Sequence, residues 1–251
     1  MAGGLAKQGM IPVVAIYSTF LQRAYDMILQ DISMLGLHVV LAVDRAGLVG
    51  EDGETHHGVF DVGFLRQAPN MKLLCPASLS ELSHMLTWAV EKQNGPVAIR
   101  YPRGTEGSYK DSAFIDENTN LVCHREGKDC VILTYGSLLD NALQAADILH
   151  SQGVEATVLR LLCLSQIPGE EIAAYANGHN RIVVAEEVCE NSGIKESVAW
   201  ELAKLGDFRV EGLDLGHRYV THGAMNQLHD HYGLSGERIA KFIMEAFKSE
   251  N

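Results

Sequence analysis

Short apolar runs alternate with amphipathic stretches along this 251-residue chain, the pattern of α/β architecture built on parallel strands. Residues 11–17 read as a buried strand. From Thr19, a capping residue type, Phe20, Ala24, Ile28, Ile32 and Leu35 recur near helical spacing. That predicts one helix to about residue 35, which Gly36 ends. Residues 38–43 predict the next strand, and the glycine-rich stretch 44–58 is irregular. Further strands are predicted at 72–75 and 97–100, with a helix over 78–92 between them. From 105 to 128 the pattern dissolves into polar and turn-forming residues, which predicts a linker. The alternation then restarts, with strands predicted at 130–134, 155–159, 181–185 and 208–213. Helices are predicted at 140–150, 169–177, 196–205 and 237–247. The organisation expected is two α/β units with mostly parallel sheets, residues 1–104 and 129–251.

Composition narrows the class. A hydrophobic share of 47% against 21% charged suits an ordinary globular protein, and no run approaches the about 18 apolar residues of a membrane span. The amino terminus makes a poor signal peptide, so the cytoplasm is the expected compartment. Five scattered cysteines without a C-x-x-C pair argue against a disulfide framework and a zinc site, and read as buried thiols. The net charge of −12 is uneven: residues 1–104 carry 8 Lys+Arg against 9 Asp+Glu, and residues 105–251 carry 12 against 23. The acidic second half should repel a phosphate backbone, which speaks against nucleic acid. Five arginines in the first half suit one small anionic ligand instead.

Three segments carry candidate chemistry. Residues 44–58 (DRAGLVGEDGETHHG) follow a strand, where open α/β sheets place ligands, and their glycines allow Arg, Asp and His side chains to crowd together. The bland alternative is a solvated surface loop; a metal at His56 and His57 is the weaker idea, because adjacent loop histidines rarely converge on one ion. Residues 100–104 (RYPRG) also end a strand. Arg100 and Arg103 could clamp a phosphate or merely form salt bridges. Residues 17–26 (YSTFLQRAYD) run from a strand end into a helix, with an aromatic ring, an arginine and hydroxyls at the turn.

IYSTFLQRAYD, DRAGLVGEDGETHHGVFD and IRYPRG, in this order and at these distances, resemble the 1-deoxy-D-xylulose-5-phosphate synthase family of thiamine-diphosphate transketolase-type enzymes. The resemblance implies an incomplete transketolase-like pyrimidine-binding domain over 1–104, the linker, and a transketolase C-terminal domain over 129–251. In that second part REGKDCVILTYGSLL, VVAEEV and THGAMNQL match in position and character. LLCLSQIPGEEI stands where the family carries a Lys-Pro-Leu-Asp type turn. The resemblance further implies that Phe20 stacks on the thiamine aminopyrimidine with Arg23 close to that ring. Tyr17, Arg45 and Arg103 would hold the phosphate of glyceraldehyde 3-phosphate, and Asp52 and His56 would contact its hydroxyl and carbonyl oxygens as the catalytic pair. His57 receives no catalytic role.

The implied reaction, a transferase step, condenses pyruvate with glyceraldehyde 3-phosphate and releases CO2, feeding isoprenoid, thiamine and pyridoxal precursor synthesis. Two devices of that chemistry have no counterpart in these residues. One is the Gly-Asp-Gly motif with a later Asn that holds Mg²⁺ and the diphosphate; the other is the glutamate that protonates the aminopyrimidine. The expectation is therefore a carboxy-terminal portion of such an enzyme: a fragment or one half of a split enzyme, engaging thiamine diphosphate from its pyrimidine side only. It should be inactive alone, and should form a homodimer or pair with an N-terminal half. The competing expectations are a β-type subunit of a split transketolase or 2-oxo-acid dehydrogenase, and a non-catalytic dimerisation module.

Overall fold

In the chain's computed structural model, described over residues 1–116, 118–176 and 178–248, apolar strand runs fall into two separate sheets. The first is built from β1 (Val13–Tyr17), β2 (Val40–Asp44), β3 (Lys72–Leu74) and β4 (Val97–Arg100), all parallel, in the spatial order β1-β2-β4-β3. The second contains β5 (Leu121–Arg125), β6 (Cys130–Tyr135), β7 (Ala156–Leu161), β8 (Arg181–Ala185) and β9 (Arg209–Leu213). Its order is β5-β7-β6-β8-β9, with only β5 antiparallel. Every residue of β4, β6, β7 and β8 is buried, as expected where helices cover both faces of a parallel sheet. Among the described residues no helix is long and apolar enough to cross a membrane.

The helix over Leu79–Glu91 begins where sequence chemistry places it. Ser78 accepts from the Glu81 backbone N–H at 3.0 Å while the Glu81 carboxylate accepts from the Ala77 N–H at 2.8 Å, a reciprocal cap that satisfies two otherwise orphaned donors. In the second unit Leu139–Ser151 packs against Gly236–Lys248, and Gly169–Ala176 lies against Lys195–Ala203. Residue 177, within the helix expected over 169–177, and residues 249–251 lie outside the described set.

Two expectations need correction. The stretch 105–128 is not all connector, because Leu121–Arg125 forms the edge strand β5 on β7. Its polar residues disguise it, yet each has a partner: the Arg160 Nε donates to His124 Nε2 at 3.0 Å, and Arg125 reaches Asp147 at 2.7 Å. The helix expected after Thr19 is also not continuous. Ser18–Leu21 and Tyr25–Met27 are α-helical, Gln22–Ala24 is a tighter turn, and Ile28–Ser33 widens to π geometry. Apolar residues spaced by four drift about 40° per step around a 3.6-residue helix, and the wider turn takes up the excess so that Ile28 and Ile32 both stay buried. Thr19 is not a cap; its hydroxyl donates to the Thr55 carbonyl at 3.0 Å.

The two units share one core, in which Val43, Leu73 and Cys75 pack into a cluster with Val131, Leu133, Leu161 and Val184. Backbone bonds continue the joint: the Cys75 N–H donates to Leu162 O at 2.9 Å and the Leu164 N–H to Leu73 O at 2.8 Å. A fully buried ion pair crosses it, Arg160 to Glu81 at 2.6 Å.

Candidate active site

Strand register brings the candidate segments to one edge. Tyr17 pairs with Asp44 and Val43 with Arg100, so β1, β2 and β4 end level. The ladder runs on into the loops, with the Tyr101 N–H donating to Val43 O and the Ala46 N–H to Tyr101 O, both at 3.0 Å. Arg45 turns the chain at φ 57°, a left-handed conformation costing a non-glycine residue roughly 1 kcal/mol or more. The Asp44 carboxylate accepts its N–H at 2.7 Å. The loop closes through reciprocal Gly47–Gly58 bonds of 2.8 Å. Gly58 is required there because a Cβ would stand 2.5 Å from Ser18 Oγ and overlap Arg45 O. Leu48 and Val59 anchor the loop in the second unit's core, each burial contributing about 1.5–3 kcal/mol.

The side chains form an unbroken row. The Arg45 guanidinium lies 3.9 Å above the Tyr17 ring, Tyr17 stacks on Phe20 at 5.4 Å and 21°, and the Arg23 guanidinium is 5.7 Å from the Phe20 centroid. His56 sits edge-on 5.5 Å from Phe20 and 6.5 Å from Tyr17. In the other direction Asp52 holds both arginines, Arg45 Nε at 3.4 Å on Oδ2 and Arg103 Nη1 at 3.0 Å on Oδ1. Arg103 Nη1 also donates to Val49 O at 3.2 Å. The seven residues singled out from sequence, Tyr17, Phe20, Arg23, Arg45, Asp52, His56 and Arg103, therefore meet at one place. Phe20 is 38% exposed, unusual for a phenyl ring that could have been buried. Beside a guanidinium, it offers a face to a flat heteroaromatic ring. An open cleft of about 380 Å³ adjoins Arg103, walled by Val49, Gly50, Glu51 and Met225.

Two neighbours have other roles. Arg100 does not complete a phosphate clamp with Arg103. It is buried and paired with Asp61 through Nε at 3.0 Å and Nη2 at 3.2 Å, its guanidinium 5.5 Å from the Tyr135 ring. Three residues along a strand-and-turn put the two guanidinium groups in different environments. His57 is buried too: its Nδ1 accepts the Val49 N–H at 3.1 Å and its Nε2 donates to Thr221 O at 3.2 Å. Those bonds fix a neutral tautomer, and burial pushes its pKa below the ordinary value. His57 thus ties the loop to the second unit while His56 faces the aromatic row.

Sequence reasoning missed the buried carboxylates near this row's strands and in the second unit. Asp61, Glu186 and Glu187 are buried carboxylates. Glu186 accepts from the Tyr135 hydroxyl at 2.9 Å and from the Ile194 and Lys195 N–H groups at 2.9 and 3.2 Å, at the start of the helix Lys195–Ala203. Burial raises its pKa despite those donors. The available signal was the pair of glutamates directly following an apolar strand.

Comparison with known proteins gives the family and the fold. Residues 1–106 match the transketolase pyrimidine-binding domain and residues 120–239 the transketolase C-terminal domain. The chain is 41% identical over 245 residues to the 1-deoxy-D-xylulose-5-phosphate synthase of Desulforudis audaxviator, covering 96% of this chain and 38% of the relative. It is 39% identical over 258 residues to that of Gloeobacter violaceus, covering 100% and 40%. The chain thus spans about two-fifths of the length of these relatives. Among solved structures it superposes on a split-gene transketolase, an inactive β4 tetramer, with TM-score 0.85 at 26% identity, covering 98% of this chain and 79% of that one. The transketolase of Campylobacter jejuni shares the fold, with TM-score 0.75 at 19% identity, covering 97% and 37%. The chain belongs to the transketolase family, as a pyrimidine-binding domain followed by a C-terminal domain, and corresponds to the carboxy-terminal portion of 1-deoxy-D-xylulose-5-phosphate synthase.

Proposed function

We propose that this chain supplies the acceptor-binding and pyrimidine-side half of a 1-deoxy-D-xylulose-5-phosphate synthase reaction, the condensation of pyruvate with glyceraldehyde 3-phosphate. The observation that carries the reading is the contact row from Arg23 through Phe20, Tyr17, Arg45 and Asp52 to Arg103, with His56 over its aromatic part. Its aromatic end suits a pyrimidine and its cationic end a phosphate.

Phe20 and Arg23 hold the thiamine pyrimidine; when bound, thiamine diphosphate supplies the electron sink for loss of CO2 from pyruvate. Arg45, Arg103 and the Tyr17 hydroxyl bind the acceptor's phosphate. Asp52 engages Arg45 Nε and Arg103 Nη1, and Asp44 lies 3.9 Å from Arg45 Nη1, so Arg45 Nη2 and the Nε and Nη2 of Arg103 serve the ligand. Asp52 and His56 orient the acceptor's hydroxyl and carbonyl oxygens, and His56 gives a proton to the carbonyl oxygen as it becomes an alcohol. The GEDGET segment belongs to this acceptor loop, so the diphosphate and its Mg²⁺ are assigned to a further segment or partner polypeptide. The chain is accordingly inactive alone, and assembles as a homodimer or with such a partner.

Assay of the purified chain with pyruvate, glyceraldehyde 3-phosphate, thiamine diphosphate and Mg²⁺ tests this. Product should form only after addition of a polypeptide carrying the diphosphate-binding domain; robust turnover by the chain alone overturns the half-enzyme reading. The likeness to a split-gene transketolase supports a second reading, a β-type subunit of a split transketolase. An acceptor preference for longer aldose phosphates over glyceraldehyde 3-phosphate would favour it.

A further inference from the structure

Beneath the loop that carries Arg45 and Asp52 runs a row of polar groups contributed by the second unit, buried at Glu187 and part-buried at His229 and Asn141. Glu187, just past β8, is 8% exposed. One of its carboxylate oxygens meets His229 Nε2, from the helix Met225–His231; the other accepts the Leu48 N–H at 3.4 Å. The same oxygen occupies the space a Cβ at Gly47 would need, and Gly47 sits at φ 79°. Only glycine lets the carboxylate approach the loop backbone this closely.

The His229 ring is itself oriented. Asn141 Nδ2 donates to Leu234 O at 2.7 Å and lies 3.3 Å from His229 Nδ1. A carbonyl can only accept, so the amide nitrogen faces it and its second N–H serves Nδ1. Nδ1 therefore accepts, Nε2 carries the proton, and that proton goes to Glu187. The row is continuous from the helix Leu139–Ser151 to the Leu48 backbone.

Leu48 is a sensitive place to hold. Three residues upstream is the left-handed Arg45, and the next residue, Val49, gives its N–H to His57 and accepts from Arg103. A shift of the Leu48–Val49 backbone would move Arg45, Asp52 and Arg103 relative to one another. We infer that Glu187, oriented by His229 and Asn141, is a positioning residue for the Arg45–Asp52–Arg103 cluster, so that the C-terminal domain sets the acceptor site. This rests on the acceptor-site reading above.

The test is calorimetric titration of the full chain with D-glyceraldehyde 3-phosphate, alongside hydrogen exchange at the Leu48 amide. In Glu187→Gln one end of the side chain becomes a donor facing another donor, so affinity should fall about tenfold or more and Leu48 exchange should accelerate. His229→Gln, whose amide can still donate to Glu187, should lose less. Asp230→Asn, on the same helix but paired at the surface with Arg238, should bind as wild type does. Folded Glu187→Gln that binds within about twofold of wild type overturns the inference. If Glu187→Gln does not fold, His229→Ala carries the same comparison, with the same two outcomes. If wild type itself binds no ligand, the acceptor-site reading falls separately; faster Leu48 exchange in the variant then upholds the loop restraint, and unchanged exchange overturns it.

Discussion

Replacing Arg103 by Met tests the cationic end of the site most sharply. The Arg103 side chain is 46% exposed and shares Asp52 with Arg45. At about 4 Å, unit charges interact by about 1 kcal/mol in water and about 4 kcal/mol at an effective dielectric of 20, and a half-exposed group lies between these. Loss of Arg103 also leaves the Asp52 charge opposed by one guanidinium instead of two. Together these give a loss of about 2–3 kcal/mol for a phosphorylated ligand, about 30- to 150-fold in Kd. Stability should scarcely change, because exposed ion pairs contribute about 0–1 kcal/mol. Arg103→Lys keeps the charge without the planar fork and should fall between, about tenfold weaker. Calorimetry with glyceraldehyde 3-phosphate at two salt concentrations reads both, the Met variant losing salt sensitivity. Binding by Arg103→Met within about threefold of wild type, or an equal loss for unphosphorylated glyceraldehyde, would refute the phosphate role.

The joint between the units makes two further expectations. Arg160→Met strands the Glu81 carboxylate, which among the described residues keeps the Ala77 and Ala113 N–H donors at 2.8 and 3.1 Å; urea denaturation should read a destabilisation of about 3–5 kcal/mol. Within the same cluster His124 accepts from Arg160 and so must be neutral; burial and then the Arg160 charge push its pKa down to about 4. The unfolded ring binds a proton below the ordinary imidazole pKa of 6.5 while the folded ring does not, so this group favours unfolding progressively as pH falls from 6.5 towards about 4. His124→Gln keeps an acceptor without that titration and should flatten the acid limb of stability against pH; an unchanged limb would contradict the assignment.

What could be read in advance follows from where physics is local. β4 and β8 fall on their expected residues, 97–100 and 181–185, because fully buried strands are written as unbroken apolar runs. The grouping of the candidate-site residues was legible because they crowd strand ends and glycine-rich turns. β5 was not, since its apolar run stops after Leu121–Cys123 and is followed by His124 and Arg125, too short to mark a strand that depends on β7, thirty-odd residues later in the chain. Arg100 looked like a ligand group because its partner Asp61 is remote in sequence. The same holds for Glu187 and His229, which face Gly47 and Leu48 only once both units have folded together.

The central claim is that three strand-end segments make a pocket for a phosphorylated three-carbon aldehyde. Titrating the wild-type chain in parallel with D-glyceraldehyde 3-phosphate and D-glyceraldehyde measures it directly. Saturable binding of the phosphate ester, weakened by added inorganic phosphate and far exceeding that of the free aldehyde, is the expected result. Equal affinity for the two, or no saturable binding of either, would contradict it.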